Sequence, residues 1–320
     1  VSATNQIFLD VLVPVFFGLG LGYYAGWRGR VDNKNVHALN VTLMHFILPC
    51  SLFLGVARTP PALLRSQSSL LAMIGLYMLA IYAIVFFLER KPLGKSTREA
   101  SVQALTVAFS NNVAIGLPLL TVLFAATGLL AVTAGIMAGA LIVSPITLVL
   151  LEWNAAGAQG GSSSRFARLG PAVLASLRRP VVLAPLCALI VPLTGHTLPV
   201  AVVHTLDLTG KATVGLALFL TGLILSAHPL RISASVVCGV LLKNVVQPAV
   251  AFLLILLFRQ HGEVAREAFL LAAVPAGFFG TVFGARYGVN SRDTSSTLVL
   301  STVASVVTLP LAIHLSAYLP

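Results

Sequence analysis

An all-α membrane protein of ten transmembrane helices, arranged as two inverted five-helix repeats, is the fold class this sequence predicts. Three observations predict it. Of 320 residues, 58% are hydrophobic and 9% charged, with a mean hydropathy of +0.97, a balance foreign to water-soluble domains. The apolar residues gather into ten runs cut by charged or turn-rich breaks, five on each side of a Gly/Ser-rich linker. The fourth and ninth runs are themselves interrupted by Gly and Pro, at corresponding places in the two halves.

Taken in order, the first half (residues 1–151) holds spans Ile7 to Trp27, Val36 to Val56, Ser69 to Leu88, Ser101 to Phe124 and Leu129 to Leu151. The first run reaches full-span length and lacks a basic stretch before it, so it reads as a retained helix rather than a cleaved signal. A connector over residues 152–180 follows. Its cluster GAQGGSSS, Gly157 to Ser164, reads as a flexible linker and is followed by a basic stretch ending at Arg178-Arg179-Pro180. The second half (residues 181–320) holds spans Val181 to Leu193, extended towards Leu198, then Leu206 to Ser226, Ser233 to Phe258, Ala265 to Tyr287 and Thr294 to Tyr318.

The net charge of +11 sits mainly in short loops, where it acts as an orientation signal towards anionic headgroups rather than a nucleic-acid footprint. One side collects Arg28, Arg30, Lys34, Arg90, Lys91, Lys95, Arg98, Arg165, Arg168, Arg178, Arg179, Arg231, Arg286 and Arg292; the other has Arg58, Arg65, Arg259 and Arg266. Fourteen against four places the first side in the cytoplasm and both termini outside. An odd number of spans per half then makes the halves enter the membrane in opposite senses. Cys50, Cys187 and Cys238 lie in apolar segments without metal-ligand spacing and are expected as packing residues. No metal site or resident cofactor is expected.

The centre of this arrangement is AFSNNVAIGLPLL, Ala108 to Leu120. Pro118 lacks the N–H its turn needs and clashes with the carbonyl one turn back, and Gly116 lowers helix propensity further. The stretch AAVPAGFFGTVFG, Ala272 to Gly284, repeats the design with Pro275 and Gly277. In hydrocarbon such freed backbone groups are tolerated only where protein or a water-filled cavity satisfies them, and paired breaks of this kind mark a transporter's central site. Half-helices beginning after the breaks aim N–H groups and a positive dipole end at the centre, which suits a carboxylate. Asn111 and Asn112 each add amide donors and an acceptor; neighbours on a helix point about 100° apart, so one of the two is expected to face the site.

Other residues stand out against the apolar background. Lys243 is mid-span, where a charge costs about 2.5–3.5 kcal/mol on insertion scales, and it either counterbalances an anionic substrate or braces freed carbonyls near Pro248. Asp207 and Lys211, four apart, form an ion pair on one helix face, with cation or proton coupling as the sharper reading of Asp207. His45 and Ser51 flank Pro49 in the second span, where a histidine facing a cavity would titrate near neutral pH. The repeated glycines of GLGLGYYAG, Gly18 to Gly26, permit close helix approach, within the chain or at a homodimer face.

Four motifs, FSNNVAIGLPLL, GLALFLTGLILSAHP, LKNVVQPAV and AAVPAGFFGTVFGARYGVN, occur in an order that resembles the auxin efflux carrier family, whose bacterial members include malonate transporters. The resemblance spans nearly the whole chain. It implies a sodium/proton-antiporter-like fold with a scaffold and a transport domain, and broken helices 4 and 9 crossing at the substrate site. Carried over residue by residue, the crossover falls on Asn111 or Asn112, Pro118 and Pro275. The short central connector lacks the long hydrophilic loop of plant members, and Asn112 and Val113 replace the small pair that commonly follows the asparagine.

The expectation is a multi-pass carrier of the cell membrane, a bacterial inner membrane, moving small organic anions such as malonate by alternating access. Its substrate-binding set is Asn111, Asn112, Gly116, Pro118, Pro275, Gly277, Lys243 and Ser51, with Asp207 and His45 for any coupling to H+ or Na+. An enzyme is not expected, since no nucleophile–base pair or metal cluster stands out. The alternatives are a sodium/proton-coupled cation antiporter or bile-acid-symporter-like carrier, and a membrane sensor that does not transport. An antiporter wants paired carboxylates at the crossover for cation binding, and spans 4 and 9 are not expected to supply a pair.

Overall fold

The structure is a computed structural model and describes residues 3–62, 68–156, 174, 177–227, 230–289 and 292–320. The Gly157 to Ser164 linker, Arg165 and Arg168 of the connector, and Arg65 lie outside the described residues. The described elements are helical. In chain order they are α1 (Ala3–Trp27), α2 (Asn33–Thr42), α3 (Leu48–Ala57), α4 (Ser68–Arg90), α5 (Thr97–Ala108), α6 (Leu117–Ala138), α7 (Ser144–Ala156) and α8 (Pro180–Ala188). There follow α9 (Ile190–Thr194), α10 (Val200–Gly210), α11 (Ala212–Ser226), α12 (Ala234–Leu241), α13 (Gln247–Leu257), α14 (Gly262–Ala273), α15 (Phe279–Arg286) and α16 (Arg292–Ser316).

Several of these helices continue one another through wide π turns: Leu43–Ile47 joins α2 to α3, Gly139–Val143 joins α6 to α7, and Leu242–Val246 joins α12 to α13. A fourth, Asn112–Gly116, opens α6. Each is followed two residues on by a proline, Pro49, Pro118, Pro145 and Pro248. A proline can neither donate to the carbonyl four residues back nor tolerate it at close range. The turn ahead of it widens instead, so that Leu48, Ser144 and Gln247 donate five residues back, to Leu43, Gly139 and Leu242.

Six stretches among the described residues are helical, long and apolar enough to cross a membrane: Val36–Ala57, Ser69–Arg90, Asn112–Leu151, Val200–Ser226, Ala234–Leu257 and Arg292–Ser316. Pro180–Thr194 is a shorter apolar helix. The 40 residues of Asn112–Leu151 would reach about 60 Å if straight, twice the thickness of the hydrocarbon core. They are not straight: Ala125 has φ 51° and ψ −117°, and a Cβ on Gly128 would overlap the carbonyl of Leu120. The helical path therefore breaks sharply between Phe124 and Leu129, where the fourth and fifth predicted spans part.

The chain divides into two compact units that interleave in sequence. The first comprises Val1–Leu71, Asn112–Ile136 and Arg178–Ala227; the second comprises Ala72–Asn111, Met137–Leu177 and His228–Pro320. The boundary passes between the two adjacent asparagines.

In the first unit, α1 packs along α11, and α3 packs against α8 and α10. The glycine stripe explains how closely α1 and α11 approach. A Cβ at Gly22 would overlap the carbonyl oxygen of Phe219, one at Gly222 the carbonyl of Leu19, and one at Gly26 the hydroxyl of Ser226. Small residues spaced by four on both helices let the backbones touch, as in small-xxx-small pairs in lipid. The stripe is thus covered by the same chain. Val56, Ala57, Leu130 and Ala188 form a further buried cluster with Phe53 and Leu198.

In the second unit, α5 packs against α15, α7 and α16, and α14 against α13 and α16. Polar ties hold one end together. Ser96 and Glu99 form a reciprocal capping box at the start of α5. Lys95 bonds Asp293 at 2.7 Å, which holds the lysine above its ordinary pKa, and Ser233 donates to the same carboxylate at 3.0 Å. The buried Glu89 accepts from Ser235 at 2.6 Å, and Gln103 donates to Thr297 at 2.8 Å.

The α1–α11 contact makes a direct prediction. Gly22→Ala places a methyl group into backbone that cannot give way, so thermal unfolding of the purified protein should show a loss of about 1–3 kcal/mol. Gly20→Ala, with open space at its Cβ, is the neutral control. Equal melting of the two variants would contradict the close pairing.

Candidate functional site

The second unit pairs the end of α5, inside the Ala108 to Leu120 stretch but ahead of Gly116 and Pro118, with the predicted interruption at Pro275–Gly277. Helix α5 ends at Ala108 and the chain turns extended at Phe109 (φ −93°, ψ 103°). Helix α14 ends at Ala273, where Val274 adopts φ −57° and ψ 133°, the extended conformation that a following proline imposes. The two extended pieces pair as an antiparallel bridge between Ser110 and Ala276. The Asn111 N–H donates to the carbonyl of Pro275 at 2.9 Å, and the Gly277 N–H to that of Thr106 at 3.2 Å. Gly277 is required here, because a Cβ would overlap the carbonyl of Phe109. Phe109 stacks on Phe279, with centroids 4.6 Å apart and planes within 2°, and its other side rests on Gly139, which has no side chain to displace it.

Every helix C-terminus strands up to four carbonyls, and here almost each has a named partner. In α5, Leu105 O accepts from Phe109 N, Thr106 O from Gly277 N, and Ala108 O from Gln247 Nε2 at 3.2 Å. In α14, Leu270 O accepts from Val274 N, Leu271 O from Ser110 Oγ at 3.0 Å, and Ala272 O from Lys243 Nζ at 3.2 Å. Lys243 is wholly buried. Its Nζ also donates to Ser110 Oγ at 2.6 Å and to Gln247 Oε1 at 2.9 Å.

These contacts could engage every donor of an ammonium: Nζ approaches Ser110 Oγ, which donates to Leu271 O, Gln247 Oε1, whose Nε2 donates to Ala108 O, and the carbonyl of Ala272. Between the roles left open for this lysine, the geometry is that of a brace, and the carbonyls it holds belong to the paired helix ends rather than to the turn before Pro248. A neighbouring set supports the second break: Ser301 Oγ accepts from Ala276 N at 3.0 Å and donates to Asn244 Oδ1 at 2.7 Å, while Asn244 Nδ2 reaches Ser301 O and Thr308 Oγ1, both at 3.1 Å.

The first unit holds a second group of candidates. Asn112, Gly116 and Pro118 lie on the π turn and first residues of α6, with Asn112 2% exposed and Pro118 half-buried. Neither the oxygen nor the nitrogen of the Asn112 amide has a hydrogen-bond partner among the described residues. The amide lies against Gly135, where an added Cβ would come within 2.8 Å of Nδ2. A cavity of about 400 Å³ in this unit is lined by Ser51 in the first turn of α3 and Arg58 just past its end, Leu117 and Thr121 of α6, and Asp207 and Lys211 across the α10–α11 joint. Ser51 packs 3.0 Å from the Cβ position of Gly210, and Asp207 pairs with Lys211 at 2.7 Å on a largely exposed face. His45 is exposed on its π turn and lines neither this cavity nor the paired breaks.

Sequence reasoning passed over Ser110, Gln247, Asn244 and Ser301. The available signals were the i,i+4 spacing of Lys243 and Gln247 and the contiguity of Ser110 with the asparagines. It also passed over Glu267, a wholly buried carboxylate of α14 inside the ninth predicted span.

With this geometry in view, residues 7–313 match the family model described as membrane transport protein, over nearly the whole chain. The chain belongs to the auxin efflux carrier family. Within that family it is similar to the uncharacterized transporter YfdV of Escherichia coli K12, 28% identical over 317 residues that cover 97% of this chain and 98% of the relative. The proteins of the same name from Escherichia coli O157:H7 and Shigella flexneri match equally. Members of the auxin efflux carrier family, these relatives included, are transporters rather than enzymes, and this chain is a multi-pass membrane transporter.

Proposed function

We propose that this transporter carries small organic anions, mono- or dicarboxylates such as malonate, by alternating access. The observation that carries the reading is Asn112: a buried amide without a partner among the described residues, at the positive end of a helix that starts where its predecessor has broken. An unpartnered buried amide costs about 1–3 kcal/mol, and a carboxylate oxygen is the group that both its N–H donors and the helix dipole favour. In this reading ten helices form two inverted repeats, residues 1–151 and 181–320, and the basic loops face the cytoplasm with both termini outside. A cysteine at Gly94, in the basic α4–α5 turn, should react with membrane-impermeant reagents only after permeabilisation of right-side-out vesicles; labelling from outside would reverse the orientation.

For the site, titration of purified protein with malonate and with monocarboxylates should show saturable thermal stabilisation. Asn112→Ala should weaken it by about 1.5–3 kcal/mol, roughly 10- to 150-fold in Kd, while leaving the ligand-free melting point in place. An unchanged Kd in Asn112→Ala would remove the amide from the site.

A further inference from the structure

The environment of Lys243 Nζ has a composition worth separating from the lysine itself. Remove the ammonium and what remains is a hydroxyl oxygen (Ser110), an amide oxygen (Gln247) and a main-chain carbonyl (Ala272), converging on one buried point at the ends of α5 and α14. Each helix contributes about half a negative charge at its C-terminus. Oxygen ligands of this kind, supplied by half-helix ends and unwound backbone, are what sodium ions bind in transporters with discontinuous helices.

We propose that the Lys243 ammonium is a tethered cation filling an alkali-metal site at the paired helix ends, so that the transport cycle takes up no sodium or potassium ion there. Three features of the geometry support it. The ammonium donates only to oxygens, and none of its contacts is a carboxylate. Its oxygens are held from behind, Ser110 Oγ by its bond to Leu271 O and the Gln247 amide by its bond to Ala108 O, so the shell does not depend on the lysine for its orientation. And the lysine reaches the point from α12–α13, an element separate from both breaks, on the π turn Leu242–Val246 that is widened ahead of Pro248. The tether keeps the charge in place through every state in which the second unit stays intact, whereas a free ion would have to enter and leave.

The inference rests on the carrier reading only for its transport arm. In the binding arm, Lys243→Ala is purified and melted in sodium, potassium or choline chloride at constant ionic strength. The variant should gain a saturable stabilisation by sodium or potassium over choline that the parent protein lacks. Lys243→Arg, which keeps a tethered positive charge on the same element, should gain none. Adding Ser110→Ala to Lys243→Ala should weaken the cation effect. A folded Lys243→Ala protein indifferent to the choice of cation overturns the proposal.

In the transport arm, carboxylate exchange by the parent protein in proteoliposomes should proceed at the same rate in sodium, potassium and choline. A rate that requires sodium overturns the proposal whether or not the variants fold. Absence of carboxylate exchange in all three salts would count against the substrate reading and leaves the binding arm to decide the tethered cation.

Discussion

Three hydrogen bonds from one buried ammonium hold this structure at its most exposed weakness. Two helices that end inside an apolar layer, at Ala108 and Ala273, leave carbonyls that lipid cannot satisfy and two partial negative charges that face each other. The Ser110–Ala276 bridge uses up part of the backbone demand. Gln247, Ser110 and Lys243 take the rest, and the positive charge of Lys243 offsets the two dipole ends. Burying a lysine and breaking two helices are each costly alone. Together they compensate, with Lys243 carried on the widened turn ahead of Pro248 and Gly277 letting the second break lie against Phe109.

The same chain passes directly from this braced pair into the first unit, where the demands are reversed. Asn111 gives its backbone N–H to Pro275 in the second unit, while Asn112 begins the helix assigned to the first and has no partner for its amide among the described residues. One asparagine closes the backbone account of the break; the other is the group proposed to meet an anion. The cavity lined by Ser51, Arg58, Thr121, Asp207 and Lys211 adds a second polar surface to the first unit, reached five residues further along the same helix.

Much of this was legible in the sequence, and the reasons differ by residue. The interruption at Pro275–Gly277 was readable from the residue types, whereas the first break falls at Phe109–Asn111 and Gly116 and Pro118 sit on the π turn and first turn of α6, because a widened turn can carry a proline within a helix. The cost of a mid-span charge singled out Lys243, but not its partners, because Ser, Asn and Gln are ordinary enough in membrane helices to pass as background. The Gly18–Gly26 stripe announced a close helix contact; that the partner is α11, far away in sequence, is decided by non-local packing, as is the complementary Gly222. The cavity was not legible at all, since its lining comes from four separate segments. Glu267 shows the limit of counting charges near a break: its burial in α14 depends on what packs around it, not on its distance from Pro275.

On the proposed reading, a positive charge that stays with the protein does not travel with the anion, and a cycle without a coupling ion moves net charge. Against an inside-negative potential each charge is worth about 2.3 kcal/mol per 100 mV. The direct measurement is efflux from proteoliposomes loaded with malonate under an imposed potassium diffusion potential, with the opposite polarity as control. The account predicts that an inside-negative potential accelerates efflux and an inside-positive one slows it. Efflux at the same rate under both polarities, with exchange otherwise intact, would show an electroneutral cycle and contradict it.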